Sequence, residues 1–279
     1  MIALSELTHP QWLAFSGLLG LCIGSFLNVV IHRLPIMMQR AWAQEVAEIQ
    51  GHPTQPAPTL NLIGPASHCP HCNTPLAWWQ NIPLLSFLLL KGQCKHCQAP
   101  ISWRYPLVEL FTACAALGVA HLHSPSTQAL LLMGFVFTLI ALTAIDLDTY
   151  LLPDDLTLPL LWAGLLFNLV FEHVSLTNAV IGASAGYLLL WSIYQLFKLA
   201  TGKEGMGYGD FKLLAAIGAW LGVQSLFTIL LSASLFGIFF GLLIQTLRGK
   251  QRHEAFPFGP CLALGAFAWL GGFDISRWI

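Results

Sequence analysis

Trp12-Leu-Ala-Phe-Ser-Gly-Leu-Leu-Gly-Leu-Cys-Ile-Gly-Ser-Phe-Leu-Asn-Val-Val-Ile31 carries no charged side chain and stops against His32-Arg33. As a helix rising about 1.5 Å per residue, such a stretch reaches about 30 Å, the thickness of a bilayer's hydrocarbon layer. The rest of the chain has the same character. Of 279 residues, 56% are hydrophobic and 9% charged, against roughly 25% charged in an ordinary soluble domain. Further apolar segments run approximately from Pro106 to Leu122, Thr127 to Ile145, Leu156 to Phe171, Leu176 to Leu199, Phe211 to Val223, Ser225 to Leu247 and Phe256 to Phe273. The fold class is therefore an all-α polytopic membrane protein with about eight transmembrane helices. A soluble globular domain is excluded. The lipid bilayer is the first partner; a formal net charge of −1 says nothing about acidic ligands, and no nucleic acid is expected. No Lys or Arg precedes Trp12, so the basic start of a cleavable signal peptide is missing and the first segment is expected to stay.

Orientation follows from where the cations lie, because cytoplasmic connections collect Lys and Arg. Arg33, Arg40, Lys91, Lys95, Arg104, Lys198, Lys203, Lys212, Arg248, Lys250 and Arg252 all fall in odd-numbered connections, eleven of the twelve cations. Those connections are expected to face the cytoplasm and both termini the other side. Without the short segment Phe211 to Val223 as a crossing, the Arg248 cluster would lie outside.

Between the first two segments the composition turns to Pro, Gln, His and Cys. Residues 1–33 read as the first transmembrane helix, 34–105 as a small cytoplasmic loop domain and 106–279 as a seven-helix membrane core. Trp42, Val46 and Ile49 have helical spacing along Arg40 to Gln50, as a surface-lying or solvated helix would. Residues 51–65 are Pro-rich, and no internal repeat is evident. Cys69-Pro-His-Cys72 and Cys94-Lys-His-Cys97 form two C-x-x-C pairs at a zinc-ribbon spacing. A closed structural zinc site of four thiolates suits a loop domain with little core of its own, and a reducing compartment favours thiolates over disulfides. His68, His71 and His96 are alternative ligands or solvated neighbours. Cys22, Cys114 and Cys261 sit in apolar runs as small hydrophobes.

Thirteen acids serve the whole chain, yet Asp146, Asp148, Asp154 and Asp155 crowd into eleven positions starting at Ile145. A further acid, Asp210, ends the run Gly205-Met-Gly-Tyr-Gly-Asp210, whose glycines permit backbone angles that a β-carbon forbids. In the expected topology Asp146 and Asp210 lie at similar depth on one face. Carboxylates at the edge of the hydrocarbon are costly, and two in one poorly solvated site share a proton, which suits general acid and base hydrolysis of a peptide bond. Blander readings hold elsewhere: Asp154 or Asp155 as a helix cap, Asp148 as a solvated charge, Glu109 paired with Arg104 or set against a helix dipole, Asn28 and His32 as polar ends of the first helix. A transporter also places acids in a membrane, and a zinc-loop interaction module would explain the cysteines. Neither accounts for the acid pair and the C-x-x-C loop together.

The combination resembles the type IV prepilin leader peptidases, bacterial inner-membrane aspartic proteases with a G-x-G-D loop. The resemblance rests on Gly24-Ser-Phe-Leu-Asn-Val-Val-Ile-His-Arg-Leu-Pro35, both cysteine pairs, Asn81-Ile-Pro-Leu-Leu-Ser86, Arg104-Tyr-Pro-Leu-Val-Glu109, Ile145-Asp-Leu-Asp148 with Leu152-Pro-Asp154, and Gly207-Tyr-Gly-Asp210. It implies a cytoplasmic active site, with Asp146 and Asp210 as the catalytic pair. It further implies cleavage of prepilins and pseudopilins after a glycine and N-methylation of the exposed residue, usually phenylalanine, by S-adenosylmethionine. Gly92 matches a glycine tied to methylation. No glycine fingerprint of a nucleotide site is visible, so the methyl donor's pocket is unassigned.

Overall fold

A computed structural model describes residues 4–51, 60–248 and 256–274. The described residues are helical apart from connecting loops, the longest being 60–77 and 90–103, which include two isolated β-bridges. The helices are α1 (His9–Ile49), α2 (Leu85–Leu89), α3 (Arg104–Leu122), α4 (Thr127–Thr149), α5 (Asp154–Phe171), α6 (Leu176–Thr201), α7 (Tyr208–Leu221), α8 (Val223–Arg248) and α9 (Gly259–Leu270). Leaving out the five-residue α2, eight apolar helices answer to the eight apolar segments. Six of them, α1, α3, α4, α5, α6 and α8, are long and apolar enough to cross a membrane. The chain is thus a multi-pass membrane protein. At 14 and 12 residues, α7 and α9 fall short of the ~20 needed to span.

The chain divides into two compact units, Met1–Ala141 and Leu142–Ile279, with the boundary inside α4. In the first unit α1 lies against α3. Gly20 and Gly24 make that possible, since a β-carbon at either would stand 2.7 Å from an α3 Cα, that of Ala113 or Glu109. Small residues one turn apart let membrane helices approach backbone to backbone. Polar side chains pin the pair at both ends: Trp12 Nε1 donates to the His123 carbonyl at 3.1 Å, and Asn28 Nδ2 donates to that of Tyr105 at 3.1 Å. Asn28 is therefore a buried tie between helices rather than a snorkelling end. The first helix also outruns its expected stop at Arg33, continuing through Pro35 to Ile49, so the stretch from Arg40 is its extension and not a separate element. Arg33 is buried and donates from Nη1 to Asn61 O (2.9 Å) and from Nη2 to Pro65 O (2.7 Å), which clamps that segment to α1.

In the second unit α7 is the core helix, packed on by α5, α6, α8 and α9. Every residue from Asp210 to Leu221 except Lys212 is buried. A β-carbon at Gly182 of α6 would strike the Gly218 carbonyl, and the reverse holds too. A short helix ending inside apolar surroundings leaves carbonyls with no water to turn to. Asn168 of α5 supplies the donor: its Nδ2 reaches Ala219 O at 2.8 Å and Trp220 O at 3.1 Å, while its Oδ1 accepts the Val174 amide at 2.9 Å.

Candidate active site and metal centre

Asp146 sits in the last turn of α4 and Asp210 in the first turn of α7, both buried and both in the second unit. The charge of Asp146 reaches Asp210. Leu152, in the turn after α4, packs between two glycines that frame them. A β-carbon at Gly209 would stand 2.8 Å from Leu152 Cβ, and one at Gly259 would stand 3.3 Å from Leu152 Cδ2 and 2.7 Å from Asp146 Oδ2. The Gly259 amide, which opens α9, donates to Asp146 Oδ2 at 3.0 Å.

The glycines of the Asp210 loop do a different job from the one expected of them. None of Gly205, Gly207 and Gly209 has a positive φ. Two of them serve by leaving space, Gly205 against Phe197, where a β-carbon would come within 2.7 Å, and Gly209 against Leu152. Gly207 is the N-cap of α7, so the helix begins three residues before Phe211 and carries Asp210 in its first turn, at the end of the dipole that favours an anion. Tyr194 of α6 packs on Tyr208 and Phe211, holding that turn in place.

The remaining acids separate cleanly. Pro153 occupies the N-cap of α5, with no side-chain cap, so neither Asp154 nor Asp155 caps it; both lie in its first turn. Asp154 receives Lys212 Nζ at 2.7 Å on each oxygen, a two-ended tie from the start of α5 to α7. Asp148 is exposed. Glu109 is buried in α3 and its Oε2 accepts the Leu84 amide at 2.8 Å, rather than serving the helix dipole. Leu84 needs that support: with φ 55° and ψ −45°, and the Leu85 amide donating to the Pro83 carbonyl, it centres a γ-turn of the rare, strained kind.

In the first unit, the Sγ atoms of Cys69, Cys72, Cys94 and Cys97 lie within 4.8 Å of one another, and those of Cys69 and Cys97 are 3.7 Å apart. Zinc–sulfur bonds of about 2.3 Å at tetrahedral angles place sulfurs about 3.8 Å apart, so the four residues fit a zinc ion. Hydrogen bonds with Thr74 hold the Cys72 thiol down to about 6, and the Cys97 and His96 amides lower Cys94. Cys97 accepts the Ala99 amide, which lowers it, but burial and the three neighbouring sulfurs outweigh that and push it up to about 11. Bound zinc would cross-link the loop and, with four thiolates closing its shell, leave no position for substrate. His68, His71 and His96 lie outside the cluster.

The two cysteine pairs are copies of one turn. Cys69 and Cys94 accept from Asn73 and Gln98, which take positive φ values of 55° and 57°; the bridges His68–Pro75 and Gln93–Pro100 flank them, and Leu76 and Ile101 donate back to Ser67 and Gly92. This is a ten-residue motif, C-x-H-C-[N/Q]-x-P-[L/I]-x-W, recurring at an interval of 25 positions and carried by turn residues rather than by a hydrophobic period. Gly92 stands at its edge with φ +69°, and a β-carbon there would come within 3.2 Å of Phe87 Cζ. Both its angle and its space call for glycine.

A model of the bacterial peptidase A24 N-terminal domain matches residues 18–123, and one of the type IV leader peptidase family matches residues 133–242. The chain is 56% identical to a prepilin leader peptidase/N-methyltransferase of Aeromonas hydrophila, over 100% of this chain and 98% of that one. Proteins of the same name from Burkholderia pseudomallei (strain 1026b) and Pectobacterium carotovorum subsp. carotovorum are 52% and 50% identical, over 97% and 94% of this chain and 88% and 93% of theirs. No solved structure matches. The buried acid pair, the four-cysteine loop and these full-length likenesses agree, and the chain belongs to the prepilin leader peptidase/N-methyltransferase family.

Proposed function

We propose that the protein cleaves the leader from type IV prepilins and pseudopilins after a glycine, with Asp146 and Asp210 as its catalytic pair, and then methylates the new N-terminus. The observation that carries the first step is the burial of both carboxylates in one unit, with the charge of Asp146 felt at Asp210. One acid of such a pair holds a proton while the other is ionised. The ionised carboxylate takes a proton from water as the water oxygen bonds to the scissile carbonyl carbon, and the protonated one gives its proton to the carbonyl oxygen. Collapse of that intermediate breaks the carbon–nitrogen bond, and the leaving amine takes a proton from the site.

The cation count supports a catalytic face on the cytoplasmic side of the bacterial inner membrane. A prepilin's apolar helix then stays in the bilayer while its basic leader remains in the cytoplasm, with the scissile bond at the interface between them. The methyl donor is S-adenosylmethionine, consumed as a co-substrate. Cys69, Cys72, Cys94 and Cys97 hold a structural zinc ion, and the cysteine loop, with Gly92, serves the methyl step; 34–105 is the inserted loop domain and 106–279 the protease core. Incubation of purified protein with a prepilin and S-adenosylmethionine, read by mass spectrometry, tests both reactions. Loss of the leader followed by a gain of one methyl group is expected. Leader removal by either Asp146→Asn or Asp210→Asn would overturn the assignment of the pair.

A further inference from the structure

The two acids of the site are not treated alike by the chain around them. Asp146 receives a main-chain hydrogen bond from Gly259, 113 residues away, at 3.0 Å in a buried setting, whereas the main-chain partner of the Asp210 carboxylate is Gly207 of its own turn, whose carbonyl also accepts the Asp210 amide at 3.3 Å. Gly259 also stands where no larger residue fits, since its β-carbon would lie 2.7 Å from Asp146 Oδ2 and 3.3 Å from Leu152 Cδ2. Two chain segments far apart in sequence, the end of α4 and the start of α9, thus meet on a single oxygen.

We propose that Gly259 is the positioning residue of the acid pair: its amide fixes one oxygen of Asp146 and so makes Asp146 the proton acceptor and Asp210 the proton donor. This rests on the reading of Asp146 and Asp210 as the cleavage pair. An amide donor stabilises a carboxylate more than a carboxylic acid, because the charged oxygen is the stronger acceptor. It also stops the group rotating, which leaves Oδ1 to receive the proton of the attacking water. The glycine is required twice over, for the approach of its nitrogen and for the absence of a side chain. Pro260 next to it starts α9 at this point, because its ring suits the first helical turn and needs no amide partner there. Phe258 and Gly259 are thereby held at the N-terminus of the helix, with the Gly259 amide free of any intrahelical partner and directed at Asp146.

The test uses full-length protein in lipid vesicles with a purified prepilin. Replacing the residue-259 amide by an ester, with glycolate in place of glycine, removes the N–H and adds no bulk. Loss of a hydrogen bond to a charged group predicts a fall in kcat of roughly 10- to 100-fold, with KM for the prepilin and the zinc content unchanged. Gly259→Ala, which adds the obstructing β-carbon, falls further in kcat. An ester variant that keeps its kcat, or one that raises KM at unchanged kcat, overturns the proposal. Asp146→Asn and Asp210→Asn run beside it: if either still cleaves, the reading of the pair itself fails, and that result is separate from any result at Gly259.

Discussion

Gly209 shows how a single residue's meaning shifts once its neighbours are known. In the sequence it reads as a residue chosen for backbone angles that a β-carbon forbids; in the structure its backbone is ordinary and its value lies in the 2.8 Å that a β-carbon would leave to Leu152 Cβ. Leu152 also lies 3.3 Å from where a β-carbon on Gly259 would stand, so a wedge at 209 bears on the surroundings of the glycine that holds Asp146. Gly209→Val is expected to abolish leader cleavage while the protein still inserts and binds zinc, as measured by prepilin processing alongside membrane fractionation and atomic absorption. Cleavage close to the parent rate would show that the crowding around Leu152 is slack. Asp146 and Asp210 were legible because charge is scarce in an apolar chain and needs a reason. Gly259 was not: its contribution is a main-chain amide, which every residue but proline possesses and no side chain advertises.

At the scale of elements, periodicity and length revealed most of the helices, and physical crowding explains where they misled. The first helix was expected to end where polarity rises, but a helix needs only its own hydrogen bonds to continue, and α1 runs on into polar sequence to Ile49. Eight apolar segments became eight apolar helices, yet α7 is a 14-residue core helix whose carbonyls Asn168 closes off, and a hydropathy run cannot distinguish a buried helix from a lipid-facing one. The clustering of the four cysteines was legible from spacing alone, while the loop's internal repeat lay in the turn residues Asn73 and Gln98 and the prolines behind them. Each copy of the turn supplies two of the four clustered thiols, so neither would close a zinc site alone. Cys94→Ser is expected to drop zinc from one ion per chain to near none and to open the loop to trypsin at Lys91 and Lys95. Full zinc retention, measured by atomic absorption, would show that three thiolates suffice or that a histidine replaces the fourth.

Across the whole molecule, the two proposed reactions draw on different compact units. The acid pair, Leu152 and Gly259 belong to Leu142–Ile279; the four cysteines and Gly92 belong to Met1–Ala141. The chemistry differs as sharply: hydrolysis needs a base and an acid at a carbonyl, whereas methyl transfer needs a free amine and a sulfonium carbon and makes no demand on a carboxylate pair. The order of events couples them, since the amine does not exist until the peptide bond is broken. An Asp146→Asn protein given a full prepilin is therefore expected to yield neither product. Supplied with a pilin whose leader has already been removed, the same variant is expected to transfer labelled methyl from S-adenosylmethionine at close to the parent rate. Failure of that transfer by zinc-loaded, folded Asp146→Asn protein would mean that the methyl step itself uses the acid pair, and the division of labour between the two units would be wrong.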